Sequence, residues 1–228
     1  MPGGYGQFCP VAKAMELLDE RWTMLVVREL MMGSRHFNDL RRGVPRMSPT
    51  LLSKRLQTLV RAGVVERWVD GSKVSYRLSE AGRELEPIVQ ALGAWGVRWV
   101  GELGEADLDP HLLMWDIHRN VHTEALPPGR TVLQFRFTDI PAGQRDWWLV
   151  IAGEEVDVCD VDPGFDVRVT VESTLRALTE VWRGDRSWQQ AVRSGALALH
   201  GEVQARRAFP GWLKLSSTAG VPRPAAAH

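Results

Sequence analysis

Residues 34–63 read SRHFNDLRRGVPRMSPTLLSKRLQTLVRAG. Ser48 is a good N-cap, Pro49 suits a first helical position, and Gly63 is a natural stop, so a helix is expected between them. Leu52, Leu56, Leu59 and Val60 recur at three- and four-residue steps and make its buried stripe. The remaining positions hold Thr50, Ser53, Lys54, Gln57 and Arg61. A helix that served only a core would need the stripe alone. Hydroxyls followed by cations in its opening turns suit insertion into a major groove, where they reach base edges and phosphates.

The flanks fit that reading. Upstream, Val11–Leu18 and Trp22–Met32 carry apolar residues at helical spacing, with Gly33 as a stop. Arg35–Arg42 predicts a short third helix closed by Gly43 and Pro45. Downstream, VVERWV and VSYRL alternate with period two around Asp70-Gly71, predicting a hairpin with a basic rim of Arg67, Lys73 and Arg77. A long helix is expected from Ser79, with Leu85, Ile88, Val89, Leu92, Trp95 and Trp99 on its apolar positions. Helix, helix, short helix, capped helix and hairpin is the order of a winged helix-turn-helix. The expected DNA contacts are Arg46, Ser48, Pro49, Thr50, Ser53, Lys54 and Arg55 on and before the capped helix, and Arg67 and Lys73 on the wing.

Charge agrees. The chain has 228 residues and a formal net charge of zero, which conceals an asymmetry. Between Arg21 and Arg83 there are 13 Lys/Arg against 5 Asp/Glu; between Glu102 and Ala219 there are 12 against 18. The first segment is built to face a polyanion and the second is not.

The motifs in FCPVAKAMELLDERWTMLVVRELMMGSRHFNDLRRGVPRMSPTLLSKRLQTLVRAGVVER resemble the HxlR-type helix-turn-helix family of bacterial transcription regulators. The resembling features are Cys9-Pro10-Val11, Arg21-Trp22-Thr23, Phe37-x-x-Leu40, Ser48-Pro49, Leu51-Leu52-Ser53-x-Arg55-Leu56-x-x-Leu59, Ala62-Gly63 and Tyr76-x-Leu78-x-x-x-Gly82. Met47 stands where the family has isoleucine. The resemblance covers about residues 5–102 and implies homodimers on inverted-repeat operators in double-stranded DNA. It also implies a dimer interface of the first helix and the helix after the wing, here Val11, Leu18, Leu85, Ile88, Leu92, Trp95 and Trp99. Apolar surface on that scale must be buried against something. Some family members carry a redox- or electrophile-sensing thiol where Cys9 stands, and a helix start is a setting that favours a reactive thiolate.

GELGEADLDP, with two glycines, a proline and four acids, marks a linker over 104–109 between a first domain at 1–103 and a second at 110–218. The second domain opens with a helix from His111 to about His122. The stretches TVLQFRFT, DWWLVIA, EVDVCDV, FDVRVTV and ALALHG read as strands, and STLRALTEVWRG, SWQQAVRSG and a final segment through Phe209 as helices. The tail at 219–228 is expected to be disordered. The fold class is therefore α+β. The Leu-Thr-x-x-Trp-x-Gly helix end, Ser187-Trp188, Gly195-x-Leu197-x-Leu199-x-Gly201 and Arg207-Ala208-Phe209-Pro210-x-Trp212-Leu213 resemble the sterol-carrier-protein-like fold. That resemblance implies a sheet under helices, often enclosing an apolar cavity for lipid-like ligands. The candidates to line such a cavity are Trp115, Phe135, Phe137, Trp148, Trp182, Trp188, Phe209 and Trp212, and the corresponding ligand is a small hydrophobic effector.

Other chemistry is thinly supported. There is no phosphate-binding glycine loop, nucleophile elbow or recognisable pair of catalytic carboxylates, so no enzyme is expected. Cys9 and Cys159 give neither a disulfide framework nor zinc spacing. His118 and His122 are one helical turn apart with no third ligand at a supporting spacing. No metal or cofactor is expected. The start lacks a secretory signal and no run reaches membrane-spanning length, so the expected location is cytoplasmic, on the nucleoid. Three readings stay open: a ligand-modulated repressor, a thiol-switch regulator acting through Cys9, and a lipid-binding carrier with an accessory nucleic-acid-docking module.

Overall fold

Four helices open the chain: α1 (Pro10–Leu18), α2 (Thr23–Met31), α3 (Phe37–Gly43) and α4 (Pro49–Arg61). The computed structural model describes residues 4–100 and 102–223, and the chain divides into two compact units, Met1–Trp95 and Gly96–His228. In the first, Ser48 caps α4 by accepting from the Leu51 amide at 3.3 Å, with Pro49 in the first turn. Leu52, Leu56 and Leu59 are fully buried against Val26, Val27, Leu30 and Leu40. Each such leucine contributes about 1.5–3 kcal/mol.

The wing follows as β1 (Val65–Asp70) and β2 (Lys73–Leu78), antiparallel in the register Asp70↔Lys73 through Val65↔Leu78. Its two-residue turn is Gly71-Ser72, with φ +58° at Gly71, so glycine occupies the first central position, as a type II′-class hairpin requires. The Tyr76 amide donates to the Arg35 carbonyl at 2.8 Å, tying the wing to the loop before α3.

The short helix expected over Arg35–Arg42 runs Phe37–Gly43, behind the N-cap His36, and two further expectations change in this unit. The helix expected from Trp22 begins at Thr23, because Trp22 is left-handed at φ 80°. That geometry costs a non-glycine residue about 1–2 kcal/mol. It is held by packing of the Trp22 ring on the core and by the Val26 amide, which donates to the Trp22 carbonyl at 2.9 Å. The long helix expected from Ser79 is two helices, α5 (Glu80–Arg83) and α6 (Glu86–Trp99). Ser79 caps only the first, accepting from the Gly82 amide at 3.1 Å. The division between the compact units falls inside α6, ahead of the linker expected at 104–109, where residues Glu105–Asp107 form a 3₁₀ turn.

The second unit comprises α7 (Pro110–His118), β3 (Arg130–Phe137), α8 (Ala142–Arg145), β4 (Asp146–Ala152), β5 (Glu155–Cys159), β6 (Val169–Ser173), α9 (Leu175–Trp182), α10 (Trp188–Arg193), β7 (Leu197–Gly201) and α11 (Val203–Ala208). The sheet order is β5-β4-β3-β6-β7. All neighbours are antiparallel except β3 and β6, which run parallel in the register Gln134↔Thr170. Alternation puts Leu133, Phe135 and Phe137 of β3, Trp147, Leu149 and Ile151 of β4, and Val169 and Val171 of β6 on one face. The apolar sides of α7, α9, α10 and α11 cover that face in a single core.

Boundaries in this unit also shift. The FDVRVTV stretch becomes a strand only from Val169. The helix expected to reach His122 ends at His118, where the Asn120 side chain donates to the Asp116 carbonyl at 2.8 Å. The final helix ends at Ala208, ahead of a 3₁₀ turn at Phe209–Trp212. Residues 219–223, placed in the tail by the sequence, are bonded back: Arg223 donates to the Arg183 carbonyl at 2.7 Å and pairs with Asp185. Residues 224–228 of the expected tail lie outside the described residues. Among the described residues, no helix is long and apolar enough to cross a membrane.

Candidate nucleic-acid interface

The site begins with how α4 is held. Its stripe fixes one side, and Thr50, Lys54, Gln57 and Arg61, opposite that stripe on the helical wheel, are exposed. Arg46, Ser48 and Pro49 are exposed in and just before the first turn, and Ser53 is half-buried at the edge of the stripe. The first two turns thus present hydroxyls and an exposed lysine.

Arg55 departs from expectation. Its guanidinium donates to the Arg21 carbonyl at 3.2 Å and pairs with Glu20, and the side chain is only 11% exposed. The helical wheel explains this: Arg55 lies beside Leu52, Leu56 and Leu59, so it turns toward the segment between α1 and α2. Its role in this structure is to brace α4.

The wing divides its cations. Across the hairpin, Arg67 pairs with Tyr76 and therefore shares a face with Val65 and Leu78. Lys73 shares the opposite face with Trp68 and Arg77. All three cations are exposed. Trp68 is exposed too, with the Arg77 guanidinium 5.8 Å from its ring centroid and its indole N–H donating to Glu66 at 3.2 Å.

A buried network beneath this surface was not legible as a site. Glu29 on α2 is completely buried. One of its carboxyl oxygens pairs with Arg28 at 2.8 Å and the other accepts from the Ser34 hydroxyl at 3.3 Å. Arg28 also donates to the Gly43 carbonyl at 3.1 Å. Gly43 ends α3, and a Cβ built there would fall onto the Glu29 carboxyl group. Glu29 thereby fixes the α2–α3 corner from which α4 projects. The signal in the sequence was a lone acid inside the Val26, Val27, Leu30 stripe.

The apolar positions of the expected dimer surface are mostly bare. Helices α1 and α6 bury no residue. Val11, Ile88, Leu92, Trp95 and Trp99 are exposed, the two tryptophans by 57% and 66%. Leu18 and Leu85 are half-buried, and Leu85 packs on the core of the first unit. Cys9 is the N-cap of α1 and is partly exposed.

The eight aromatic residues expected around an apolar ligand are all buried. Phe209 stands 5.3 Å from Trp188, 6.2 Å from Trp212 and 6.3 Å from Phe135, ring centroid to centroid. The Trp182 indole donates to Asp116 at 2.6 Å. Phe135, Phe137, Trp182, Trp188, Phe209 and Trp212 belong to the hydrophobic core, while Trp148 is buried on the opposite face of the sheet and Trp115 packs against His118 outside that cluster. A groove that does open in this unit, about 320 Å³, lies elsewhere and none of the eight lines it. Of the expected histidine pair, His118 stacks on Trp115 at 4.1 Å, while Asp116 is engaged by Trp182 and Arg119.

The family described as HxlR-like helix-turn-helix matches residues 17–103. The chain is 34% identical over 98 residues to the uncharacterized HTH-type transcriptional regulator YvaP of Bacillus subtilis (strain 168), covering 41% of this chain and 91% of that protein. It is 45% identical over 91 residues to the uncharacterized HTH-type transcriptional regulator Rv3095 of Mycobacterium tuberculosis (strain ATCC 25618 / H37Rv), covering 38% of this chain and 56% of that protein. Among solved structures it is similar to the reduced form of the transcriptional regulator YodB from B. subtilis, with 33% identity, 41% of this chain and 95% of that chain covered, and a TM-score of 0.37.

Proposed function

The chain belongs to the HxlR-like helix-turn-helix family of HTH-type transcriptional regulators, and from that premise we propose that it acts as a homodimeric repressor on an inverted-repeat operator. The observation that carries the reading is the free side of α4, where Thr50, Lys54, Gln57 and Arg61 are exposed while Leu52, Leu56 and Leu59 are locked in the core. Thr50, Ser53 and Lys54 meet base edges, and Arg46, Ser48, Arg67 and Lys73 meet phosphates or an adjacent minor groove. The bare apolar positions of α1 and α6 pair with those of a second copy. Two-fold symmetry then sets two copies of α4 about one DNA turn, roughly 34 Å, apart. A dimer seated across both half-sites excludes other proteins from the same groove.

The second unit, with helices over one face of its sheet, supports the sterol-carrier-like reading, and we assign it the task of adjusting operator affinity. A ligand shifts that affinity only by its unequal binding to the two conformations. A small hydrophobic effector among the aromatic residues would have to part rings that pack together in the core.

Fluorescence anisotropy tests the main reading. A duplex from upstream of the chain's own gene should bind far more tightly than a scrambled duplex of the same length. Binding should also weaken steeply with salt. Equal affinity for both duplexes refutes operator recognition and favours a carrier that docks on nucleic acid without reading it.

One observation favours a second reading: Cys9 stands at the N-cap position of the helix whose apolar face would lie in the dimer. Oxidation there would perturb the spacing of the two recognition helices. Cys9→Ser should abolish any loss of operator binding caused by diamide, and an unchanged response rejects the thiol switch.

A further inference from the structure

The groove of about 320 Å³ in the second unit combines features that the aromatic core lacks. Its walls come from the ends of β3 and β6 (Thr138, Glu172), the first turns of α9 (Arg176, Glu180), the segment after α9 (Arg186) and the start of β7 (Ala198). Its size is at the lower end of the ~300–1,000 Å³ range of small-molecule sites. Two carboxylates and two guanidinium groups line it, so both signs of charge stand within one small volume. The apolar part of its lining is small: Ala177, Ala196, Ala198 and Gly195 leave the space open.

The state of the four charges decides what fits. The Glu172 carboxylate, half-buried on its strand, makes no side-chain hydrogen bond or short ion pair among the described residues; Arg136, opposite it across the strands, feels its charge but is itself bonded to Asp146 at 2.8 Å. Arg186 is bonded to Glu180 at 2.9 Å, which uses few of its five N–H donors. Arg176 bonds the Leu103 carbonyl at 2.8 Å and Glu105, whose side chain is 84% exposed. An ion pair with so exposed a partner is weak and readily exchanged. The groove therefore offers one carboxylate with no hydrogen-bonded partner and guanidinium donors to spare. Ser173 in its wall adds a buried hydroxyl with no partner among the described residues, a group that is costly to leave unmet.

From this arrangement we infer that the groove binds a small zwitterion of amino-acid type, its ammonium on Glu172 and its carboxylate on Arg176 and Arg186. The small residues of the lining receive the side chain. A lipid-like molecule finds too little apolar surface here. A diamine or a dicarboxylate satisfies one sign and leaves the other facing like charge.

Isothermal titration of the full chain, without DNA, tests the assignment independently of operator recognition. Each of the standard α-amino acids is titrated in turn, with 1,5-diaminopentane and glutarate as single-sign controls. At least one amino acid should bind while both controls do not. Glu172→Gln should weaken that binding by about tenfold or more, the loss of one charge-assisted hydrogen bond. Ala198→Phe should abolish it by filling the groove. Absence of binding by every amino acid overturns the inference. So does equal binding of either control, or binding that survives both substitutions in chains whose circular dichroism matches the wild type.

Discussion

Replacing Gly43 by alanine tests the claim that Glu29 sets the corner before the recognition helix. The new methyl group would fall on a carboxyl group that is wholly buried and bonded to Arg28 at 2.8 Å and Ser34 at 3.3 Å. Overpacking alone costs about 1–3 kcal/mol. Moving the carboxyl aside also forfeits a buried charge-assisted bond, about 1.5–3 kcal/mol more. The total, about 2.5–6 kcal/mol, is a large share of the stability of a small domain. For a unit of this size each kcal/mol lowers the midpoint by about 4–8 °C, so the first-unit transition should fall by about 10 °C or more in calorimetry. The second-unit transition should stay put. The decisive comparison is the double substitution. In a Glu29→Ala background there is no carboxyl to strike, so adding Gly43→Ala should cost well under about 1 kcal/mol, a strong non-additivity. If Gly43→Ala costs the same in both backgrounds, or nothing in either, the account of the corner is wrong.

Four other outcomes follow from the same structure. Lys54→Ala should weaken operator binding and reduce its salt slope by about one unit, with the melting curve unchanged. Arg55→Ala, by contrast, should lower stability by about 1–3 kcal/mol through loss of the Arg21 and Glu20 bonds; a normal melting curve with impaired binding would reverse those roles. Leu92→Asp on the bare face of α6 should convert a dimer to a monomer in sedimentation without unfolding it, and a dimer that persists would place the interface elsewhere. Burial, reinforced by Asp157 and Asp160, raises the Cys159 thiol above its ordinary 9.0, so the protonated form is favoured in the fold. Its alkylation at about pH 8 should be slower in the folded than in the denatured chain. The same linkage makes the thiol's contribution to stability full below the ordinary value and lost as pH climbs through the raised one. Equal alkylation rates in the two states contradict the raised value.

Much of the DNA-reading unit was legible because its signals are local. Ser48-Pro49, the Leu52, Leu56, Leu59 stripe and the wing's alternation each act within a few residues, and each forms the element its pattern predicts. Arg55 shows the limit. Its position beside the stripe was readable, but its attachment to Glu20 depends on where a separate helix ends. The Glu29, Ser34 and Gly43 network failed for the same reason, since a buried acid gains meaning only from partners in other elements. In the second unit the strands were legible by period, yet the parallel pairing of β3 with β6 and the polar groove at their ends were not. Aromatic content pointed to a pocket where close packing leaves a core, and the groove is walled by ordinary charged residues from distant segments.

The parallel pairing of β3 with β6 carries a consequence for synthesis. A growing chain completes α1 through β2 before β3 is made, whereas β3, the middle strand of its sheet, waits for residues 169–173 before its second edge is covered. Contacts that span so much sequence form slowly, and an open strand edge invites pairing with another chain. Emerging from the ribosome, the DNA-reading half is therefore finished while its successor is still a half-sheet. Aggregation during expression should begin at β3.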